Sequence, residues 1–546
     1  MARKPRKRTP KTPSVAQRLK AQARTAAKSS NSDAARGKRD VRVDKAQLAW
    51  SRRQYDEAIR HYEAALARNP RDPVLLVDVA RAYALRFRYD DAEKLIELAQ
   101  RLYPDDANLQ RMLARSYGQV QQFDRAIGCY RRSLELQPES PERFNVLLEL
   151  AKMLERLHQL DDARQCVEEA LRLGPSSSAA RFTLARIERR QGDVSAAESH
   201  WRDLITGEHV PPGIAADSGY ELAALLDAAG QFDEAYATLV KAKAILDSAA
   251  IPYREEAEEL ARTSRTTFAA IQAEHVERWS AAGASLKPMQ GPLALLTSHP
   301  RSGTTLLEQV LDSHPQAISA DELQVMAEMV YVPLGQKAGR GAPVVAALDQ
   351  ASVDDLNRVR HSYWSSMEGA LRQPVAGRTL IDKNPELTLL LPLVARVFPE
   401  MSIIFALRDP RDVILSCFMQ RLPLNTVSVH YLTLEAAAKK YAANMRAWLK
   451  IRDMLRNRWL EVRYEDCVAD LKQQAQRVLE FLNLPWDDQV LDYHRRAQTK
   501  HVHSPTYEAV TKPVYSSSVG RWRNYEAQLA PVMGILQPYV DAFGYA

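Results

Sequence analysis

The segment from Leu293 to Leu311, LALLTSHPRSGTTLLEQVL, decides the fold of the second half of the chain. Its apolar start predicts a strand, a short polar loop follows from His299 to Thr305, and the remainder has the apolar spacing of an amphipathic helix. A loop that joins a strand to a helix turns successive backbone N–H groups and the positive end of the helix dipole towards one point. The segment therefore predicts a cradle for an anion.

The loop departs from the nucleotide-binding pattern G-x-x-x-x-G-K-[ST] at the position that matters most. Ser298 stands at the first glycine, Gly303 at the second, Thr304 in place of the lysine, and Thr305 at the hydroxyl position. Arg301 supplies a cation from within the loop, and its planar guanidinium suits a terminal oxyanion group. An ordinary ATPase or kinase is therefore disfavoured. A strand-to-helix junction without a ligand is the alternative interpretation.

A second cation stands at the end of another predicted strand. Ile403 to Leu407 is a continuous apolar run, and Arg408 follows it, at the carboxyl edge where open α/β sheets bind ligands. Asp409 is predicted to cap the next helix and Pro410 to open it, which places Ser416 two turns further on. Arg408 and Ser416 are thus candidates to share one phosphate. The alternative is that Arg408 is an ordinary surface charge beside a helix start.

Several motifs in one order carry a family resemblance. They are PRSGTTLLEQVLDSHPQ, ADEL, IDKNPEL, IIFALRDPRDVILSCF and the late KPVYSSSVGRWRNY. Together they resemble the PAPS-dependent sulfotransferases, and most closely the tyrosylprotein sulfotransferase-like branch, over residues 286–546. The resemblance implies a P-loop-like α/β domain with a central parallel sheet. It also implies transfer of a sulfuryl group from PAPS, 3′-phosphoadenylyl sulfate, to an acceptor hydroxyl on a peptide tyrosine, a sugar or a small molecule, with PAP as the product.

The same resemblance implies roles for individual residues. The loop residues Arg301, Ser302, Gly303, Thr304 and Thr305 match the cradle of the 5′-phosphosulfate. Arg408 and Ser416 match the 3′-phosphate site, and Lys383, at the end of the predicted strand LID, matches a lysine that stabilises the leaving phosphate. The remaining cofactor-binding candidates are Tyr464, Lys512, Ser517 and Arg521. Because cations and loop amides would neutralise the transferred group, no metal is expected.

Two interpretations compete for Glu322. The resemblance makes it the catalytic base that accepts the proton of the attacking hydroxyl, with Asp321 as its neighbour. The sequence Ser319-Ala-Asp-Glu322 is also an S-x-x-E capping box, in which Glu322 would bond back to the backbone at a helix start. In other sulfotransferase branches a histidine is the base, and His299 and His314 lie nearby in sequence.

The first half of the chain repeats itself every 34 residues. The tetrapeptides YDEA at Tyr55, YDDA at Tyr89 and FDRA at Phe123 recur at this spacing, and Pro70, Pro104 and Pro138 repeat in step. This period predicts a tetratricopeptide α-solenoid of about six helix pairs over residues 41–249. Residues 250–285 are predicted to connect the halves through one helix from Glu255 to Ala281, ahead of the 286–546 domain.

The role of the solenoid is open at this point. Its concave face suits an extended peptide and hence a protein acceptor, but the array could equally form a homodimer or brace the second domain. Two further functions therefore remain: a non-catalytic tetratricopeptide scaffold with a nucleotide-binding pseudoenzyme domain, and a nucleotide-dependent kinase with a degenerate P-loop.

The positive charge of the chain is concentrated at its start. The formal net charge is +7, while residues 1–45 hold fifteen Lys or Arg and three Asp, a net +12, so the rest carries +7 minus +12, or −5. Residues 1–40 lack apolar periodicity and are predicted to be a disordered basic tail. We expect no specific nucleic-acid binding from this tail.

Composition also indicates the compartment. The sequence has no apolar stretch long enough for a membrane span, and its four cysteines are scattered without paired spacing. Such cysteine usage is typical of a reducing environment, so we expect a cytoplasmic protein of bacterial type. This expectation departs from the animal tyrosylprotein sulfotransferases, which resemble Golgi membrane enzymes.

Overall fold

The computed structural model describes residues 41–52, 54–339, 341–495 and 517–545. Two of the expectations above, the basic tail over 1–40 and the contact of Lys512, lie outside these residues.

The first half consists of six antiparallel helix pairs. They are α1 (Val41–Ser51) with α2 (Tyr55–Arg68), α3 (Pro73–Ala84) with α4 (Tyr89–Leu102), α5 (Ala107–Gln119) with α6 (Phe123–Leu136), α7 (Arg143–Arg156) with α8 (Leu160–Leu173), α9 (Ser178–Gln191) with α10 (Val194–Thr206), and α11 (Pro212–Ala228) with α12 (Phe232–Ile245). The alanine at the fourth position of each second helix is fully buried, which lets the paired helices approach closely. These alanines are Ala58, Ala92, Ala126, Ala163, Ala197 and Ala235.

In each of the last five pairs, the turn between the two helices has a left-handed residue at its centre. Phe87, Gln121 and His158 adopt positive φ angles of 63°, 63° and 59°, while Gly192 and Gly230 take the equivalent place in the last two pairs. A side chain costs free energy in this conformation and glycine does not. The packing of the repeat therefore imposes the left-handed turn even where the residue at that position is not glycine.

The connector between the halves contains two helices, α13 (Asp247–Ala270) and α14 (Ala273–Gly283). The predicted single helix over 255–281 is wrong, because Ile271 leaves the helical region with ψ 133°. Ile271 is fully buried in the core of the second half. Burying this side chain turns the backbone, and no glycine or proline signals the break.

The second half is built on a five-stranded parallel sheet. Its strands are β1 (Leu293–Thr297), β2 (Ala317–Asp321), β3 (Thr379–Lys383), β4 (Ser402–Leu407) and β5 (Trp459–Arg463), in the spatial order β2-β3-β1-β4-β5. β1 therefore lies between β3 and β4, with Leu296 opposite Lys383 and Thr297 opposite Phe405. The carboxyl ends of these three strands meet at one edge, which is where a doubly wound sheet binds ligands.

Helices cover both faces of this sheet. They are α15 (Thr304–Asp312), α16 (Val332–Ala338), α17 (Val344–Gln350), α18 (Val353–Leu371), α19 (Leu391–Val397), α20 (Pro410–Met419), α21 (Leu434–Ile451), α22 (Tyr464–Ala469), α23 (Leu471–Phe481), α24 (Glu526–Leu529) and α25 (Met533–Ala542). Alternate strand residues face two separate cores, so that Leu295 and Phe405 pack into one and Leu296 and Ile404 into the other. Phe405 stacks on Trp448 at 4.0 Å between ring centroids.

The solenoid contacts the second half at both of its ends. Near its start, Arg86 pairs with Glu328, and Arg372 pairs with Asp90 and Glu93. Near its end, Lys243 donates 2.7 Å to the carbonyl of Tyr431. Further contacts of this last repeat are Asp217 with Arg421, and Asp227 with Arg521 and Tyr525. The two halves thus pack against each other through direct side-chain contacts.

Among the described residues, every helix falls short of the length and apolar character that crossing a membrane requires.

We predict that replacing glycine and introducing glycine at these left-handed turns have different effects on the stability of the solenoid. Gly192→Ala should destabilise the solenoid by about 1 kcal/mol, because a Cβ there meets open space and only the φ of 94° is unfavourable. His158→Gly should be neutral or stabilising. Urea unfolding followed by circular dichroism measures both, and equal destabilisation by the two substitutions would contradict the strain explanation.

Candidate functional site

The loop after β1 is shaped by one close contact. Gly303 has φ 91°, and a Cβ on it would lie 2.6 Å from Cδ2 of Tyr464. Any side chain here would both strain the backbone and collide with the ring. Ser302, Thr304 and Thr305 are buried, and α15 begins at Thr304 directly after this glycine. As at any helix start, the backbone N–H groups at the beginning of α15 point towards the N-terminal end of the helix, where the loop lies.

Arg301 and Arg408 meet beside this loop. Arg301, held at φ 71°, donates from Nε to Oγ of Ser416 at 3.0 Å. Arg408 donates from Nη1 to the carbonyl of Arg301 at 3.2 Å and from Nη2 to the carbonyl of Ser518 at 2.6 Å. These contacts join residues that are far apart in sequence into one group, called the phosphate cluster below: Arg301, Arg408, Ser416, Tyr464 and Ser518.

Tyr464 completes the phosphate cluster. Its ring lies under the guanidinium of Arg408 at 4.8 Å, and its hydroxyl is 2.7 Å from Oγ of Ser518. Arg408 is only 8% exposed, and its buried Nε has no hydrogen-bond partner among the described residues. Within the described ranges the hydrogen bonds of this guanidinium reach only carbonyl oxygens, although its charge opposes the burial-driven rise in the pKa of two acidic neighbours, Asp412 and Glu465. The arrangement therefore suits an anionic group, and it excludes the interpretation of Arg408 as an ordinary surface charge.

One buried acid on α20, Asp412, holds the C-terminal segment beside this cluster. Asp409 caps the helix, as predicted, and pairs with Arg411, whose guanidinium lies 3.9 Å over the ring of Trp522. Asp412 accepts from the N–H groups of Gly520 at 2.7 Å and Trp522 at 2.8 Å. Burial raises the pKa of Asp412, and Arg408 opposes that shift. The segment is thus fixed by backbone hydrogen bonds to a buried carboxylate.

Lys383 lies on the other side of β1 from Arg408 and is paired with two carboxylates. It is completely buried, with its Nζ bonded to Asp321 and 2.9 Å from Oε1 of Glu322. Burial alone would lower the pKa of Lys383, but the charges of Asp321, Glu322 and Glu308 outweigh it and raise the pKa above its ordinary value. Lys383 is therefore a permanent cation at the carboxyl edge.

Glu322 is the exposed member of this group. Its side chain is 39% exposed, its backbone has φ 54°, and its N–H donates to the carbonyl of Lys383 at 2.8 Å. The capping-box interpretation is wrong, because Ser319 lies inside β2 and no helix begins at Glu322. An exposed carboxylate in a rare backbone conformation at a sheet edge is typical of a functional position.

The two nearby histidines are held elsewhere. Burial lowers the pKa of His299 to about 3, and the ring packs between Tyr431 and Tyr441 beneath the loop. His314 donates from Nε2 to the carbonyl of Pro485 at 2.8 Å, and its Nδ1 accepts from a backbone N–H. Both rings are buried and bonded to backbone, so neither has the exposure of Glu322.

Not every predicted site residue joins the phosphate cluster. Arg521 pairs with Asp227 of the solenoid instead, and Ser517 is exposed beside Ser518, the serine that makes the contacts. Sequence reasoning missed Asp412, Ser518 and Asp227. The run Ser516-Ser517-Ser518 signals a polar loop without singling out one serine. The other two depend on contacts across more than a hundred residues, which no local pattern encodes.

No group of three or more His, Cys, Asp or Glu side chains within the described ranges is arranged to hold a metal ion.

Comparisons with known proteins divide the chain in the same way. A model described as the sulfotransferase family matches residues 292–488, and three tetratricopeptide repeat models match residues 49–116, 105–176 and 148–207. Protein-tyrosine sulfotransferase 1 of Danio rerio is 24% identical over 270 residues, 46% of this chain and 72% of that protein. The protein-tyrosine sulfotransferase of Drosophila melanogaster is 23% identical, over 46% of this chain and 53% of that protein.

A longer alignment reaches into the repeats. An uncharacterized protein of Aquifex aeolicus (strain VF5) is 25% identical over 418 residues, which is 74% of this chain but only 52% of that protein. This chain thus matches about half the length of that relative. Among solved structures, the sulfotransferase domain of the Synechococcus PCC 7002 olefin synthase is 22% identical, covers 43% of this chain and 89% of that chain, and has a TM-score of 0.32.

We predict that a buried acid behind the site gives the protein a pH-dependent stability. Asp382 is fully buried and accepts from the hydroxyl of Tyr363 at 2.9 Å, and burial raises its pKa to about 7. A raised pKa stabilises the fold at low pH, and that contribution falls as the pH rises from about 4 to about 7. Asp382→Asn should therefore stabilise the protein by up to about 4 kcal/mol at pH 8 and by little at pH 4.

Denaturant titrations at the two pH values measure this difference. Asp453→Asn, at a carboxylate that is 76% exposed, is the matched control and should leave stability unchanged. An equal effect of Asp382→Asn at both pH values would contradict the prediction.

Proposed function

Because residues 292–488 form a sulfotransferase-family domain behind tetratricopeptide repeats, we propose that this chain transfers a sulfuryl group from PAPS to an acceptor hydroxyl. The observation that carries the proposal is the phosphate cluster. The buried Arg408, whose Nε has no acceptor among the described residues, and the partly exposed Arg301 meet a glycine cradle at the start of α15. Such a site fits the two separate anionic ends of a 3′-phosphorylated nucleotide.

The residues of the cluster divide between those two ends. Arg301 and the loop as far as Thr305 would hold the 5′-phosphosulfate, with the start of α15 supplying N–H donors. Arg408 and Ser416 would hold the 3′-phosphate, and Tyr464 would lie near the adenine. In this assignment the guanidinium of Arg408 gains the acceptor that its Nε lacks.

PAPS supplies an activated sulfuryl group whose transfer is an in-line displacement, with charge spread over the outer oxygens. The chain then has to position the acceptor, take its proton and neutralise the leaving phosphate. Arg301, in the loop after β1, and Lys383, at the end of the adjacent β3, are two cations at the same edge of the sheet. With Arg301, Lys383 and the loop amides in place, we propose that no metal is needed.

Glu322 is the proposed base. Its partly exposed carboxylate is oriented by the hydrogen bond from Lys383, and this ion pair holds it at the carboxyl edge. A base must reach the acceptor hydroxyl from solvent, and Glu322 is more exposed than Lys383 or Asp321. Proton transfer to Glu322 would neutralise one of the two carboxylates around Lys383, which frees the lysine to face the developing negative charge.

The acceptor class is proposed from the relatives. Two of them are named protein-tyrosine sulfotransferases, which supports a peptide tyrosine ahead of a sugar or small-molecule hydroxyl. We also propose that the enzyme acts in the cytoplasm.

The test is release of PAP from PAPS with a panel of tyrosine peptides, sugars and phenols. We predict that Glu322→Gln lowers kcat by about 100- to 10,000-fold and leaves the affinity for PAP unchanged, because the base acts only in the transfer step. Glu435→Gln is the matched control, since Glu435 also pairs with a lysine but on the exposed face of α21.

The outcomes separate the competing functions. Transfer to one acceptor class that Glu322→Gln loses and Glu435→Gln keeps would support the proposal. Binding of PAP with no transfer to any acceptor would favour a pseudoenzyme scaffold. Activity of Glu322→Gln equal to that of the unmodified protein would overturn the role of the base.

A further inference from the structure

A single carboxylate of the solenoid binds the C-terminal segment that contributes Ser518 to the phosphate cluster. Asp227, in the last turn of α11, accepts from the hydroxyl of Tyr525 at 2.6 Å and pairs with Arg521. Both partners belong to residues 517–525, called the strap below. Tyr525 is fully buried and its ring lies 5.4 Å from that of Phe232 on the solenoid. The far end of the strap is therefore attached to the last repeat.

The near end of the strap is part of the phosphate cluster. The carbonyl of Ser518 accepts from Arg408 at 2.6 Å, and its hydroxyl meets that of Tyr464 at 2.7 Å. Between the two ends, Asp412 fixes the amides of Gly520 and Trp522. Only two residues separate Ser518 from Arg521. A displacement of Arg521 at the solenoid is therefore transmitted over a short length of backbone to Ser518 at the nucleotide site.

We propose that Asp227 is a positioning residue for the nucleotide site: through Arg521 and Tyr525 it holds the strap so that Ser518 fixes the guanidinium of Arg408. The solenoid then helps to position the residues of the nucleotide site and is not only a module that recruits a partner. The inference rests on the proposed function for the identity of the nucleotide. The mechanical link between Asp227 and the strap stands on the contacts alone.

The chain contains a matched control on the same helix. Asp217, also on α11, pairs with Arg421 of the second half. Arg421 lies just beyond α20 and makes its contact outside the strap. Asp227→Asn and Asp217→Asn remove the same charge from the same interface, and only the first loosens the strap.

The first measurement is amide hydrogen exchange in the protein without nucleotide. Asp227→Asn should speed exchange at Gly520 and Trp522 by about tenfold, the scale of one lost hydrogen bond to a charged group. Asp217→Asn should leave these two amides within about twofold of the unmodified protein, because its contact is independent of the strap. Unchanged exchange in Asp227→Asn, or equal acceleration by both variants, would overturn the inference.

The second measurement is calorimetric binding of PAP. We expect Asp227→Asn to weaken binding about tenfold and Asp217→Asn to leave it unchanged. In a background of Arg521→Gln with Tyr525→Phe, Asp227→Asn should have no further effect, since its route to Arg408 is already lost. An additive loss in that background would overturn the route through the strap.

Failure of the proposed function has a different signature. If the unmodified protein binds no PAP while Asp227→Asn still accelerates exchange of the strap amides, the nucleotide assignment is overturned and the link between solenoid and strap is supported.

Discussion

The parallel pairing of β1 with β3 on one side and β4 on the other is the constraint on which the site depends. It brings Lys383, the loop after β1 and Arg408 to one edge within about two strand spacings, roughly 10 Å. Three segments that are widely separated in sequence thereby supply three cations, Arg301, Lys383 and Arg408, and a glycine cradle. Other parts of the site, including Glu322, Ser416 and the strap, are attached to this edge by hydrogen bonds.

The cations on the two sides of β1, Arg408 and Lys383, have different electrostatic surroundings. On the β4 side, Arg408 donates its hydrogen bonds to carbonyl oxygens and has Asp412 and Glu465 as acidic neighbours. On the β3 side, Lys383 is fully buried and already compensated by Asp321 and Glu322. Among the described residues the buried Nε of Arg408 has no acceptor, and an unpaired buried donor is costly, so the first environment suits a site that binds an anion. The second environment suits a cation whose charge becomes available to a ligand when a neighbouring carboxylate takes up a proton.

Local patterns were sufficient for much of this architecture. The 34-residue period predicted the helix pairs, and the cap at Asp409 with Pro410 predicted the start of α20 as it is found. Long-range contacts were not predictable in the same way. The capping box at Ser319 is a valid local motif, but strand pairing of β2 with β3 outcompetes it. The partner of Arg521 in the structure is Asp227, almost three hundred residues earlier, and no local pattern predicts this contact. Ile271 breaks the connector because of the core around it.

The central claim is that the phosphate cluster binds a 3′-phosphorylated nucleotide, and calorimetric titration tests it directly. PAP, ADP and ATP with Mg²⁺ would be compared on the unmodified protein, on Arg408→Ala, and on a control, Arg458→Ala, where an exposed arginine lies over Phe481. The account predicts that PAP binds more tightly than ADP or ATP and that only Arg408→Ala loses this preference, by about tenfold or more. Stronger binding of ATP with Mg²⁺ than of PAP, or PAP binding that survives Arg408→Ala unchanged, would contradict it.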